Sequence, residues 1–413
     1  MNREKEFEVE ISNGGSRGYE TAIVLELPAS WAEFHDAQEK ARIRDGRSCE
    51  IYLLDIRRKK ISQADIGEPH NLYELNLFAQ RLSMLATDQE GGFEALLQME
   101  HSNRPSPIPL QRLINLTFNT STCHIAPHVH SAKDLGALLY EEEMLSDAAA
   151  ALLDEAEAGS GFQQRLLELL GERHLEKNGG VFTSYGYAEP DGSEWEEVYV
   201  PGQMAYFTRS GMPVVLEVRK GFFNTPAYDN HLAAVLDLPA NESAISKAIE
   251  EVDGADLDEC AFTCTDCLIP AAREWINDAI ESGDFESANN FAYQLEQKER
   301  VWGTEEFTRY KALLQASGCG CLQDAVKLLE ETEQYELLPD AAQPWDYARI
   351  ALQEKNPDLP AILFDTGQGY QAGIELLKRD HASLTDYGAI RRKDRESLPC
   401  FGKEQQVEGL QLG

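Results

Sequence analysis

Basic residues are scarce in this chain. Over 413 residues, 37 lysines and arginines stand against 72 aspartates and glutamates, a formal charge of -35. Such an imbalance repels nucleic acid and anionic membranes, and it favours contact with basic partners. Long apolar runs are missing too: stretches such as Pro213-Val214-Val215-Leu216 fall far short of a membrane span. The start, Met1-Asn2-Arg3-Glu4-Lys5, leads into charge and not into an apolar segment, so no signal peptide is expected. Eight scattered cysteines make no secreted disulfide framework, and a reduced, cytoplasmic location is expected. Phosphate-binding glycine motifs at a strand–helix junction are also missing, and Gly367-Gln368-Gly369 reads as a turn.

What is present is enough apolar material, 42% hydrophobic and 9% aromatic, to bury real cores. Residues 1–20 read as a polar segment with a turn at Asn13-Gly14-Gly15-Ser16. Strands are expected at Thr21–Pro28 and Cys49–Ile56, and helices at Trp31–Arg44, Asn71–Ala86, Gly92–Met99, Leu110–Phe118, Leu135–Ala158 and Phe162–Lys177. The period then changes to two, predicting strands at Val181–Tyr187 and Glu196–Val200, with Gly221–Asn230 as a linker.

From His231 the pattern restarts. Leu25-Glu26-Leu27-Pro28-Ala29 returns as Leu236-Asp237-Leu238-Pro239-Ala240 at an offset of 211, and Asn76, Phe78, Ala79 and Leu82 return as Asn289, Phe291, Ala292 and Leu295 at 213. Leu110-Gln111 returns as Leu322-Gln323, and Pro127, Asp134 and Glu142 as Pro339, Asp346 and Glu354, both at 212. Four elements in one order at nearly constant spacing mark a tandem repeat. The expected division is a polar segment at 1–20, a first unit at 21–190, a β-rich segment and linker at 191–230, a second unit at 231–390 and a tail at 391–413. Strands do not alternate regularly with helices, so the fold class is α+β.

The negative charge sits in the repeats. Residues 61–230 carry a net -15 and 231–390 a net -20, whereas 1–60 and 391–413 are nearly neutral. Acids recur at helical spacing or in dense runs: Glu141, Glu142 and Glu143; Asp154, Glu155 and Glu157; Glu250, Glu251, Asp253, Asp256, Asp258 and Glu259; Asp284 and Glu286; Glu330, Glu331, Glu333 and Glu336. Residues three or four apart on a helix lie about 5–6 Å from one another. A duplex carries one charge per about 1.7 Å of axis, so -35 corresponds to roughly 60 Å of DNA. Like charges at this density cost stability, which invites a functional reason.

The order Leu-acid-Leu-Pro, then Phe285–Leu295, then Phe307–Ala316 and an acid-ended helix with Tyr335 beyond it, is similar to the ArdA-type antirestriction proteins. The first half repeats that order through Asn71–Leu85, Ala95-Leu96-Leu97-Gln98 and Leu110–Leu116, and closes with Leu169–Leu175 and Gly179-Gly180-Val181-Phe182. The resemblance covers about 20–190 and 231–390 and rests on diffuse motifs. It implies two elongated α+β units in tandem, each imitating bent duplex DNA with its acids. It further implies a type I restriction–modification enzyme or another DNA-binding defence protein as partner, a homodimer, no direct contact with nucleic acid, no catalysis and no cofactor. This chain departs from the family in its length, its β-rich segment and its basic run Arg57-Arg58-Lys59-Lys60.

Cys260, Cys264 and Cys267 have spacing suited to zinc, and Cys319 with Cys321 could complete a site, but in the repeat alignment Cys260 and its neighbours fall on the Cys49–Ile56 strand, where buried cysteines are ordinary. Cys123, His124, His128 and His130 offer transition-metal ligands, or ordinary surface histidines. A metal-dependent hydrolase built on either group is the enzyme alternative. An acidic module for a different basic protein is the binding alternative. Arg391-Arg392-Lys393-Asp394-Arg395 reads as a solubilising tail.

Overall fold

The computed structural model describes residues 5–15, 17–46, 49–57, 60–103, 107–202, 211–221 and 232–401, the side chains of Asp88 and Asn103 excepted. The chain is α+β: short antiparallel sheets with helices packed around them. Arg58, Lys59, most of the expected linker and the last twelve residues lie outside the described residues.

The first sheet joins β1 (Phe7–Ser12), β2 (Ile23–Leu27) and β3 (Glu50–Ile56) in the order β2-β1-β3. Phe7, Val9 and Ile11 alternate with glutamates, so one face of β1 is wholly buried and the other is polar. The segment expected to be merely polar therefore supplies the central strand. Helices α1 (Trp31–Lys40), α2 (Gln63–Ile66), α3 (Leu72–Leu82), α4 (Thr87–Asn103) and α5 (Leu110–Phe118) surround this sheet. Ser30 opens α1 with a capping box to Glu33, and Asn71 caps α3. Phe7 stacks on Phe78 at 5.8 Å in the resulting core.

A smaller lobe follows, with β4 (Cys123–Ala126), α6 (Ala132–Glu141), α7 (Asp147–Glu155), α8 (Gly161–Asn178), β5 (Val181–Thr183) and β6 (Gly186–Pro190) in sheet order β4-β6-β5. The continuous helix expected over Leu135–Ala158 is broken in two, because Glu143 turns to a φ of 58° and Ser146 starts a new helix by accepting from Ala149. Val181–Tyr187 is a hairpin and not one strand.

The second half repeats this plan. β7 (Val214–Lys220), β8 (Ala233–Leu238) and β9 (Cys260–Cys267) form a sheet in the order β8-β7-β9. The helices are α9 (Glu242–Glu251), α10 (Arg273–Glu281), α11 (Phe285–Glu299), α12 (Thr304–Ala316) and α13 (Leu322–Glu331). A small lobe of β10 (Tyr335–Leu338), α14 (Pro344–Gln353), α15 (Gly367–Arg379), β11 (Ser383–Thr385) and β12 (Gly388–Arg392) closes the chain in sheet order β10-β12-β11. β7 was expected in the intervening segment and is instead the centre of this sheet, paired on both edges. Arg391, expected in a tail, lies on β12 and is 2% exposed.

Detail repeats along with topology. The register slips between Glu8 and Val9 in the first sheet and between Val215 and Leu216 in the third. Asn76 accepts from Ala29 N at 2.7 Å and donates to its carbonyl at 3.2 Å; Asn289 does the same to Ala240 at 2.7 and 3.1 Å. Gly186 and Gly388 turn the two hairpins at φ values of 129° and 131°, where a Cβ would lie 2.2 and 2.3 Å from a facing carbonyl oxygen.

Glu196–Val200, expected as a strand, pairs with no sheet. It runs extended over α5, where Asn115 brackets the backbone of Tyr199 and Asn119 that of Glu196, each with bonds of 2.8–2.9 Å. Side-chain amides thus satisfy backbone groups that a neighbouring strand would otherwise pair.

Candidate acidic interaction surface

The eighteen acids singled out above are mostly in solvent. Glu141 ends α6, and Glu142 and Glu143 follow it in the turn; Asp154 and Glu155 end α7, with Glu157 beyond. Glu250 and Glu251 close α9, and Asp253, Asp256, Asp258 and Glu259 line the loop that leads into β9. All of these, together with Glu286, Glu330, Glu331 and Glu333, are exposed; Asp284 and Glu336 are half-buried. Glu330 and Glu331 end α13, but Glu333 sits in the next turn and Glu336 on β10, so the four do not share one helix.

Some of them have local duties. Asp284 caps α11 by accepting from Ser287, whose hydroxyl and amide hold the carboxyl below the ordinary aspartate range. Asp256 accepts from the amides of Asp258 and Glu259 at 3.0 and 3.1 Å, and Asp154 accepts from the Tyr140 hydroxyl. Among the described residues, ion pairs engage Glu251 with Lys247 at 3.5 Å and Glu336 with Arg391 at 2.9 Å; none engages the other sixteen.

Several bases are engaged inside the fold. Arg391 contacts Glu336, Glu354 and the Tyr347 hydroxyl; burial alone would lower its pKa, but those neighbours raise it. Lys60 pairs with Glu94 at 2.7 Å and contacts Ser184. Arg112 pairs with Glu100 and lies 3.6 Å from the Trp195 ring centroid.

Further bases fill the junction between the two halves. Lys311 on α12, 6% exposed, lies 3.0 Å from Asp36 and 2.9 Å from Glu39 on α1. Asp36 also takes Lys40 at 3.0 Å and accepts from the Tyr387 hydroxyl at 2.8 Å. Burial by itself would raise the Asp36 carboxyl, but Lys311 and Lys40 outweigh it and hold it low. For Glu39 burial wins over Lys311, so this carboxyl is raised. Arg273 pairs with Glu33, Ser30 donates to Asp266 at 2.7 Å, and Arg17 reaches Asp346 at 3.1 Å. Clefts of about 260, 290 and 420 Å³ open along this junction, and Lys40 lines all three.

The cysteines of β9 behave as core residues. Cys260, Cys264 and Cys267 are buried on β9, in the place that β3 holds in the first sheet, and burial pushes the Cys264 thiol up to about 12. Cys123 is half-buried, while His124, His128 and His130 are exposed. Among the described residues, no group of three or more histidines, cysteines or carboxylates is placed to hold a metal ion, and no helix is long and apolar enough to cross a membrane.

The junction was not visible in sequence, since Lys311 and Glu39 are 272 residues apart. Compared with known proteins, the chain matches no family model and no curated protein.

Proposed function

We propose that this protein imitates duplex DNA and occupies the basic DNA-binding groove of a type I restriction–modification enzyme, blocking it by competition. The observation that carries the reading is the segregation of charge. Sixteen of the eighteen acids make no ion pair among the described residues, while Arg391, Lys311 and Arg273 are drawn into internal pairs. Most of the candidate carboxylates are thus left to solvent. A basic groove meets such a surface as it meets a phosphate backbone, through many weak contacts screened by salt. The protein itself performs no reaction in this mode; it excludes DNA by filling the groove.

The test is competition. Fluorescent duplex is bound to a type I restriction–modification enzyme and this protein is titrated in at two salt concentrations. Displacement near one-to-one stoichiometry, weaker at the higher salt, is expected. Full retention of DNA at a large excess would overturn the reading and leave an acidic module for another basic protein.

A further inference from the structure

We propose that Lys311 is a positioning residue that latches the two units into one body, so that both acidic surfaces reach a single partner together; this rests on the reading just given. One socket occurs in two copies, one in each unit. Glu94 precedes Ala95-Leu96-Leu97-Gln98 on α4 as Lys311 precedes Ala312-Leu313-Leu314-Gln315 on α12. Both positions are buried, and each lies close to the tyrosine of its own hairpin, Tyr185 or Tyr387.

In the first unit the socket is closed from within. Glu94 accepts from Lys60 at 2.7 Å and from the amide and hydroxyl of Ser184 at 3.1 and 2.7 Å, and Lys60 lies 5.8 Å from the Tyr185 ring centroid. In the second unit the charge is reversed and the socket is closed from outside. Lys311 takes Asp36 and Glu39 from the other unit's α1, Tyr387 donates to Asp36, and Lys40 lies 5.3 Å from the Tyr387 ring centroid.

The corresponding helix of the second unit shows that this acid pair belongs to the junction and not to the unit's own fold. On α9, Lys247 stands where α1 has Asp36 and Glu250 where it has Glu39, and both are exposed. The units therefore meet in one direction only: the first unit's α1 enters the second unit's socket, while the first unit's socket is already filled by Lys60. Arg273 with Glu33 and Arg17 with Asp346 brace the same contact on either side. Two units held rigidly engage one partner with a high effective concentration for the second contact.

The experiment uses the full chain and three variants: Lys311→Glu, Asp36→Lys, and the two combined. Small-angle X-ray scattering reads the arrangement of the units, and circular dichroism checks that each variant is folded. Each single change places like charges together and is expected to enlarge the radius of gyration with helical content unchanged. The combined exchange recreates in the second unit the glutamate–lysine pair seen at Glu94 and Lys60, and is expected to restore the native scattering. Native scattering from both folded single variants would overturn the latch. In the DNA competition assay the single variants should lose on the order of a hundredfold in potency, recovered by the exchange. Equal potency with visibly separated units would overturn the joint engagement. A native chain that displaces no DNA would instead overturn the proposed function, leaving scattering to judge the latch alone.

Discussion

Asn76 holds both backbone polar groups of Ala29, accepting from its amide at 2.7 Å and donating to its carbonyl at 3.2 Å, with no exposure of its own side chain. Asn76→Leu is expected to strand both groups in the core at about 1–3 kcal/mol each. Asn76→Asp should cost at least as much, because a carboxylate would face the carbonyl oxygen. Urea unfolding followed by tryptophan fluorescence measures both, and a loss under about 0.5 kcal/mol would show that the bracket is dispensable.

The junction acids should respond to pH with opposite signs. Asp36 holds its proton less tightly in the fold, so its contribution is complete above the unfolded aspartate range and is lost as pH falls through the lower folded value. Glu39 holds its proton more tightly, so its contribution diminishes as pH rises from the unfolded glutamate range through the higher folded value. Asp36→Asn is expected to cost about 3 kcal/mol near neutrality and to flatten the loss of stability below about pH 4. Glu39→Gln should cost less and flatten the decline above about pH 4. Denaturant titrations from acid to neutral pH distinguish the two; equal costs at neutrality would contradict this division.

Thiol labelling probes the cysteines directly. Cys264 and Cys267 are buried with thiols pushed up by that burial, whereas Cys400 is exposed. A disulfide reagent at mildly alkaline pH should modify Cys400 quickly, and Cys264 and Cys267 only after unfolding. Rapid labelling of Cys264 in the native chain would place it at the surface.

Neutralising the exposed acids one at a time should barely change competition with DNA, since mimicry spreads binding over many charges. Eight glutamines placed together at Glu141, Glu142, Glu143, Glu155, Glu250, Glu251, Glu330 and Glu331 should weaken it progressively and reduce its dependence on salt. A collapse of binding from one substitution would point to a hot spot instead.

Legibility in the sequence followed locality. α5 was expected at its observed bounds, and α1, α3 and β3 close to theirs, because apolar residues at helical or alternating spacing report burial on one side. β1 carries the same alternation in Phe7, Val9 and Ile11, but its surroundings, residues 1–20, read as polar by composition. β7 is a visible apolar run, but only its pairing with β8 and β9 shows on which side of the boundary it belongs. Sixteen of the eighteen candidate acids are exposed, as isolated carboxylates avoid burial. Arg391 was not foreseen inside, because its partners Glu336, Glu354 and Asp380 come together only when the small lobe closes.

The strap over α5 is recognised by its main chain. Asn115 and Asn119 grip amides and carbonyls at Tyr199 and Glu196 whatever side chains those residues bear, and Tyr199 alone is sunk fully into the core. The sequence of this stretch is consequently free to drift at Val198 while its path stays fixed. Proline at 196 or 199 is the exception, because it would remove an amide the brackets require. A small label on the exposed side chain at position 198 would therefore leave both brackets in place.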